Sequence, residues 1–266
     1  RLMVSNASEF DARSFASAAY DPVHDVIWVV GGIGTCKLTD VLGGASCNAR
    51  PIATNYLSWD ATTGEPKWNT LASGNQSYYA ATMVYDAPRS RMLIFGGTTN
   101  ITRGRDDVVA LDLSDPDPSK AKFTTLTTTG TGPSTYFHGT AFFAAENWLV
   151  AYGGVRTNFV KSNETVETTT YALDLTANPP AWTDLKPSGN PGTRVGGVME
   201  YDPVHKAAVF TIGRDKSDGD PATVEKIQRT TYGLTCSVVP TTATLPCTAS
   251  SRVPAALAPS RTSHAP

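Results

Sequence analysis

The sequence repeats itself, and this internal repetition constrains the fold more than any other feature. The segment at residues 18–24 (AAYDPVH) returns at residues 198–205 (VMEYDPVH), and a looser copy lies at residues 83–88 (MVYDAP). Each copy precedes an apolar run that ends in glycine, and a fourth run of this kind ends at Gly153-Gly154. Self-similarity at a period of this length is typical of proteins built from stacked structural units.

The units share a constant offset. Each unit has an aromatic residue at the same place, which is Tyr20, Tyr85, Phe143 or Tyr201. We take the residue seven positions earlier as the start of the unit, and these starts are Arg13, Tyr78, Tyr136 and Arg194. A fifth start, Arg261, follows in the segment PSRTSH. We therefore predict a single domain over residues 1–266. Its parts are an outer strand of a preceding unit at 1–12, repeats at 13–77, 78–135, 136–193 and 194–260, and the start of a further repeat at 261–266.

Each unit contains four short runs rich in β-branched and aromatic residues, bounded by Gly, Pro and Asp, and no helical period competes with them. The third run lies at 56–60, 108–113 and 171–175, and the fourth lies at 68–71, 123–126 and 182–185. One four-stranded sheet buries only one face by itself, so the copies must pack face to face around an axis. We expect an all-β fold, a β-propeller of four-stranded blades with about four blades in this chain, open or incomplete as a ring.

The glycine pair after a hydrophobic strand, the aromatic-x-Leu-Asp strand and the Trp-x-x-Leu strand resemble the kelch repeat. The resemblance is weakest in the fourth unit, where Ile212 precedes Gly213 and no Trp-x-x-Leu follows Tyr232. It implies blades like those of the central domain of galactose oxidase, with partners docking on the loops of one face. Those loops carry the basic residues of a candidate partner-binding face, which are Lys37, Arg103, Arg105, Arg156 and Arg214.

Charge and hydropathy exclude several classes of partner. Lysine and arginine total 22 against 24 acidic residues, a formal charge of −2, so no overall positive field attracts nucleic acid. The longest apolar runs are far shorter than the roughly 20 residues of a membrane-spanning helix. We therefore expect neither nucleic-acid binding nor membrane insertion.

The cysteines and sequons point to an oxidising compartment. The four cysteines form two pairs with equal spacing, Cys36 with Cys47 and Cys236 with Cys247, which favours two local disulfides over a metal site. Four Asn-x-Ser/Thr sequons are candidate N-glycosylation sites, at Asn6, Asn75, Asn100 and Asn163. Threonine-rich tracts at 124–135 and 240–248 are either O-glycosylated or simply threonine-rich loops and outer strands. We expect a secreted or cell-surface protein.

The titratable residues form no recognisable catalytic set. His24 and His205 occupy the same place in the repeated Asp-Pro-Val-His turn, which indicates turn structure rather than ligation. We assign no catalytic residue, no cofactor and no metal ligand. The sequence favours a non-catalytic extracellular binding or structural module, a subunit or segment of a cell-surface or fibre-like assembly, whose partner is another protein or a further copy of itself. Two alternatives stay open: the propeller domain of a carbohydrate-active or copper-radical oxidase whose active-site residues lie outside this chain, and an intracellular kelch adaptor, which free thiols would favour.

Overall fold

The computed structural model describes residues 13–34, 52–72, 74, 76–159, 162–189, 191–216, 230–236 and 247–251. Within these residues the chain forms eighteen β-strands and two single turns of 3-10 helix, at Ala87–Arg89 and Pro118–Lys120. No helix in this part of the chain is long and apolar enough to cross a membrane. The strands are β1 Ser17–Asp21, β2 Val26–Val30, β3 Asn55–Trp59, β4 Pro66–Thr70, β5 Thr82–Asp86, β6 Arg91–Phe95, β7 Val108–Asp112, β8 Lys122–Leu126, β9 Gly139–Phe143, β10 Trp148–Tyr152, β11 Val155–Thr157, β12 Thr165–Val166, β13 Thr170–Asp174, β14 Ala181–Asp184, β15 Val198–Asp202, β16 Ala207–Thr211, β17 Tyr232–Cys236 and β18 Cys247–Ser250.

Sixteen of these strands form four antiparallel sheets of four strands each, which are the blades of a β-propeller. Blade 1 is β1–β4, blade 2 is β5–β8, blade 3 is β9, β10, β13 and β14, and blade 4 is β15–β18. The innermost strands β1, β5, β9 and β15 contact one another in that order around the axis. The short hairpin β11–β12 lies between the second and third strands of blade 3 and was not predicted from the sequence. The all-β propeller prediction is confirmed.

Three hydrophobic cores lie between successive blades. Because side chains alternate across a strand, each blade presents one set of residues to the preceding blade and the other set to the next. Representative members are Trp28 and Met92 between blades 1 and 2, Leu93 and Leu149 between blades 2 and 3, and Val150 and Phe210 between blades 3 and 4. Each side chain of this size contributes roughly 1.5–3 kcal/mol when fully buried, so blade-to-blade packing is the main source of stability.

The repeated Asp-Pro-Val-His segment is a turn held by its first residue. The Asp21 carboxylate accepts hydrogen bonds from the Val23 and His24 amides at 3.0 and 3.3 Å and contacts the His24 ring at 2.6 Å. Asp202 and His205 make the same 2.6 Å contact in blade 4. A side-chain oxygen that bonds the amides two and three residues on fixes the turn. The histidines therefore have the structural role that their repetition predicts.

Backbone hydrogen bonds link each blade to the next in two series. In the first, the amide of the second glycine of a blade donates to the start residue of the next: Gly32 to Tyr78, Gly97 to Thr135 and Gly154 to Arg194, at 2.7–3.0 Å. This series shows that the start of the third unit is Thr135, one residue before the predicted Tyr136. The shift arises because Phe142, rather than Phe143, matches Tyr20, Tyr85 and Tyr201 in the strand register.

The second series runs closer to the axis. One residue in each blade adopts a left-handed conformation just before the innermost strand: Phe15, Ala80, Phe137 and Gly196, with φ between 54° and 72°. The amide of each donates to the carbonyl of its predecessor, Ala80 to Phe15, Phe137 to Ala80 and Gly196 to Phe137, at 2.8–2.9 Å. The two series together hold four blades in a fixed order.

Candidate functional site

The loops that follow the glycine-terminated strands form one end of the propeller, which we call the loop face. In the described residues it comprises the segments at 98–107, 155–159, 162–169 and 212–216, while Lys37 lies outside the described part of the chain. The loops of blades 2 and 3 bond to each other through their backbones. The Gly104 amide donates to the Arg156 carbonyl at 2.8 Å, and the Phe159 amide donates to the Ile101 carbonyl at 3.2 Å. These two long loops therefore behave as one continuous surface.

Aromatic side chains cover the propeller axis at this face. The rings of Phe15 and Phe137, which come from opposite blades, meet edge to face at 5.0 Å. Phe159 extends from the blade 3 loop and stacks on Phe137 at 4.8 Å. The Tyr136 hydroxyl donates to the Ile101 carbonyl at 2.7 Å and accepts from the Phe159 amide at 3.1 Å, while burial raises the pKa of Tyr136. The aromatic cap therefore ties the loops to the blades beneath them.

Arg214 clamps the loops of blades 3 and 4 together. Its guanidinium donates two hydrogen bonds to the Glu164 carboxylate, at 2.9 and 2.5 Å, and lies over the Phe159 ring at 5.0 Å. Both side chains are buried, and the Glu164 side chain is fully enclosed. A buried bidentate pair of this kind fixes geometry, and removing one partner is costly because the other charge is left unpaired. Arg214 thus has a structural role within the predicted face.

Arg105 and Arg156 are also paired with carboxylates, but they are more accessible. Arg105 forms an ion pair with Asp107 and lies over the Tyr78 ring at 4.5 Å. Arg156, whose side chain is 53% exposed, contacts Glu167 at 3.5 Å. Glu167 itself is buried and accepts hydrogen bonds from the amides of residues 168 and 169 at 2.9 Å. The pairing balances much of the positive charge on which the predicted basic face rests.

Arg103 differs from the other three arginines. It is exposed, and no ion pair joins it to a carboxylate in the described ranges. Its backbone bridges to Thr157 of the neighbouring loop, which places it close to Arg156. The loop face therefore presents a mixed-charge surface on which Arg103 and Arg156 are the accessible cations.

Two of the four sequons lie on these same loops. Asn163 is exposed in the blade 3 loop, next to the clamped Glu164. Asn100 is half-buried in the blade 2 loop, and its side-chain oxygen accepts a hydrogen bond from the Thr102 amide at 2.9 Å. Asn6 and Asn75 lie outside the described residues. Sugar at Asn100 or Asn163 would flank the surface formed by Arg103 and Arg156.

A cavity lies between the innermost strands, beside Phe15 and Phe137 of the aromatic cap. It has a volume of about 400 Å³ and is lined mostly by small residues of the innermost strands and the segments before them. His138 contributes to the lining, and its Nε2 lies 2.9 Å from the Thr82 hydroxyl. Burial lowers the pKa of His138 to about 3, so the ring is neutral at physiological pH. The described residues contain no group of three or more His, Cys, Asp or Glu side chains that could hold a metal ion.

The second predicted disulfide is present. Cys236 and Cys247 are bonded across the directly paired strands β17 and β18, and they close a loop with a sequence separation of 11. Cys36 and Cys47 lie outside the described residues. A structural disulfide is compatible with an extracellular protein, because thiols inside most cells are kept reduced.

The residues that organise the loop face, Phe159, Glu164 and Glu167, were not found from the sequence. They lie in the loop between β10 and β13, where no repeat offset marks them. The sequence shows Glu164 as one of several acidic residues interleaved with the cations of these loops, but not as the buried partner of Arg214. A buried acid is a weak sequence signal, because its partner Arg214 stands 50 residues away in another blade.

Four sheets around an axis, with long loops at one end, define the chain as a β-propeller protein. Comparison with solved structures agrees. The structure of YjhT aligns with a TM-score of 0.54 and 15% identity, covering 91% of this chain and 66% of that one. A fungal alcohol oxidase of the AA5 family, determined in complex with copper, aligns with a TM-score of 0.50 and 12% identity, covering 80% of this chain and 51% of that one.

This chain therefore spans somewhat less than two thirds of the YjhT chain and about half of the oxidase chain. Identities this low show a shared fold and nothing finer. No protein-family model matches the sequence, and no curated protein matches it.

Proposed function

We propose that this protein is a non-catalytic extracellular binding module of the kelch type, and that its loop face docks a partner that is another protein or a further copy of itself. The observation that carries the proposal is the joining of the blade 2 and blade 3 loops into one surface. Long loops left free would lose entropy when a partner bound them, whereas loops already bonded to each other lose little. A preorganised surface of this kind is suited to recognition.

The chemistry of the surface favours a protein partner over a polyanion. Arg103 and Arg156 are accessible, but Arg156 pairs with Glu167, and Asp106 and Asp107 share the loop of Arg103, which leaves little net positive charge. Mixed charge beside aromatic and small polar groups is typical of protein-binding surfaces, where arginine is enriched. The Cys236–Cys247 disulfide supports placement outside the cell.

Site-specific photo-crosslinking tests the docking proposal. A photoreactive side chain at Thr99, which is exposed and outside the Asn100 sequon, samples the loop face, and the same group at Val204, which is 82% exposed in a turn at the opposite end of blade 4, is the matched control. We expect adducts of defined mass from position 99 in the secreting culture and none from position 204. Arg103→Ala with Arg156→Ala should reduce the yield of those adducts about tenfold, as loss of accessible arginine contacts predicts. Equal adducts from both positions would show that the loop face is not the docking surface.

Measurements on the native protein distinguish the proposed binding module from the intracellular adaptor and from the oxidase domain. Free thiols at Cys236 and Cys247 in the native protein would favour the intracellular adaptor, and intact mass before and after reduction measures them directly. Copper binding with turnover of sugar alcohols would favour the oxidase. A glycosidase-sensitive mass at Asn100 or Asn163 would support the extracellular assignment.

A further inference from the structure

Within the described residues, both backbone series that join the blades end at blade 4. Gly213 is the equivalent of Gly32, Gly97 and Gly154, yet its amide has no partner within the described residues. The Gly196 carbonyl is likewise unbonded in that part of the chain, although the equivalent carbonyls of the other blades accept a hydrogen bond. Blade 4 therefore ends in one unused donor and one unused acceptor, in the positions that hold the next blade at every other junction.

The side chains of this edge also lack the cover that they have elsewhere. Val198 is 55% exposed, and Glu200 two residues on is exposed as well. At the matching positions of blade 3, Gly139 and Ala141 are buried against blade 4. Three of the described cores lie between blades 1 and 2, 2 and 3, and 3 and 4, a fourth lies around Tyr136 and Phe159 at the loop face, and none includes Val198 or Glu200. The face of blade 4 that points away from blade 3 therefore has the groups that bind a following blade, but no described residue covers it.

A segment of this chain outside the described residues has the sequence pattern of the residues that bind such an edge at another junction. Residues 259–264 (PSRTSH) repeat the pattern of residues 133–138 (PSTYFH), which open blade 3. We compared the length of chain that leads from the end of each outermost strand to the start of the next unit. This distance is nine residues from Leu126 to Thr135, ten from Asp184 to Arg194 and eleven from Ser250 to Arg261. The tether is thus of ordinary length for this protein. A tethered segment meets its site at an effective concentration of order mM, which a second copy reaches only in very concentrated solution.

We propose that residues 259–266 dock against the free edge of blade 4, with the Gly213 amide donating to the Arg261 carbonyl and the Ser263 amide donating to the Gly196 carbonyl. The inference concerns the edge of the array and is independent of what the loop face binds. Ser263 stands two residues after Arg261, as Ala80 does after Tyr78 and Gly196 after Arg194.

Ile212 makes this the weakest junction of the set. At the other three, the equivalent residues Gly31, Gly96 and Gly153 have left-handed φ values, and an added Cβ would lie 2.5 Å from the carbonyl oxygen of the next blade's start. Ile212 has the same kind of conformation, with φ 55°, and carries a branched side chain at that place. We therefore expect a carbonyl that docks at this edge to lie farther from the Gly213 amide than at the other junctions.

Amide hydrogen exchange on the intact chain tests the proposal, with the Gly154 amide as internal reference for a complete junction. Ser263→Pro removes the donor and is incompatible with a left-handed backbone, because proline fixes φ near −65°. Ser263→Ala is the matched control, since Ala80 occupies the equivalent position. We expect Gly213 to be protected in the native protein and in Ser263→Ala, less than Gly154 is, and to exchange about tenfold faster in Ser263→Pro.

Ile212→Gly provides the second arm. Removing the Cβ should allow the junction to close as the others do, raising the protection of Gly213 about tenfold toward that of Gly154. Combining it with Ser263→Pro should abolish the gain. The proposal is overturned if Ser263→Pro leaves Gly213 exchange unchanged in both backgrounds. It is also overturned if the protection rises with protein concentration, which would assign the edge to a second copy.

Discussion

Blades 3 and 4 have the same strand plan, but the faces that they turn toward the next blade differ. Val150 in blade 3 and Val209 in blade 4 occupy matching positions in the second strand. Val150 is fully buried against blade 4, whereas Val209 is only half-buried. The same residue at the same position is thus core in one blade and edge in the other. Burial in this fold is supplied by the neighbour rather than by the blade itself.

The glycine that follows the second strand of blade 3 lies directly against the next blade. We expect the largest change in the free energy of unfolding from a substitution at this glycine. Gly153→Ala should destabilise the protein by about 3 kcal/mol, because an alanine Cβ would overlap the Arg194 carbonyl at a left-handed φ of 76°. Gly64→Ala is the control, since Gly64 has φ 70° but nothing within 4 Å of an added Cβ. That variant should lose only about 1 kcal/mol, from backbone strain alone. Urea unfolding measures both, and equal losses would show that the close approach to Arg194 is unimportant.

Truncating Val150 and Val209 to alanine should lower the free energy of unfolding by different amounts, and both losses should be no larger than that at Gly153. Val150→Ala removes methyl groups from the centre of the core between blades 3 and 4, so we expect a loss of about 2–3 kcal/mol in the free energy of unfolding. Val209→Ala should lose about 1 kcal/mol or less, because its position is partly open. The two free energies come from the same denaturation series. A loss at Val209 as large as that at Val150 would mean that another element covers the blade 4 edge completely.

The smallest effect concerns acid stability. His138 lies where blade 4 has Gly197, and burial lowers its pKa to about 3, below the ordinary value of 6.5. The unfolded chain therefore binds a proton between these values while the folded chain does not, so stability is complete above pH 6.5 and falls as the pH falls. We expect a loss of about 2 kcal/mol between pH 6.5 and 4.5 that is largely absent from His138→Gln. An unchanged pH slope in that variant would show that His138 is protonated in the folded protein.

Periodicity carried most of the fold prediction, because hydrophobic runs and glycines report backbone geometry directly. The predicted third and fourth strands lie within one or two residues of β3, β7 and β13 and of β4, β8 and β14. The one-residue error at Tyr136 has a simple cause. Phe142 and Phe143 are both aromatic, so spacing alone chose the wrong one as the counterpart of Tyr20 and Tyr85, and the strand pairing and the hydrogen bond from Gly97 to Thr135 set the register.

The partner-binding role of the loop face stays a prediction, and the sequence missed the carboxylates that pair with its arginines. Arg103, Arg105, Arg156 and Arg214 lie on loops that leave the same end of their blades, while Lys37 is outside the described residues. Their carboxylate partners depend on how loops from different blades meet, which no local pattern encodes. Arg214 shows the consequence: it was predicted as part of a binding face, and the structure places it in a buried pair with Glu164.

The links between blades are made by backbone amides and carbonyls, and this has a consequence for how such a chain can diversify. The left-handed residue before the innermost strand, whose backbone bonds the neighbouring blade, is Phe15, Ala80, Phe137 or Gly196 in the four blades. This series of links therefore tolerates different side chains, whereas the junction glycines and the cores between blades do not. Loop sequences can change without altering either kind of junction, so new recognition surfaces can arise on an unchanged scaffold.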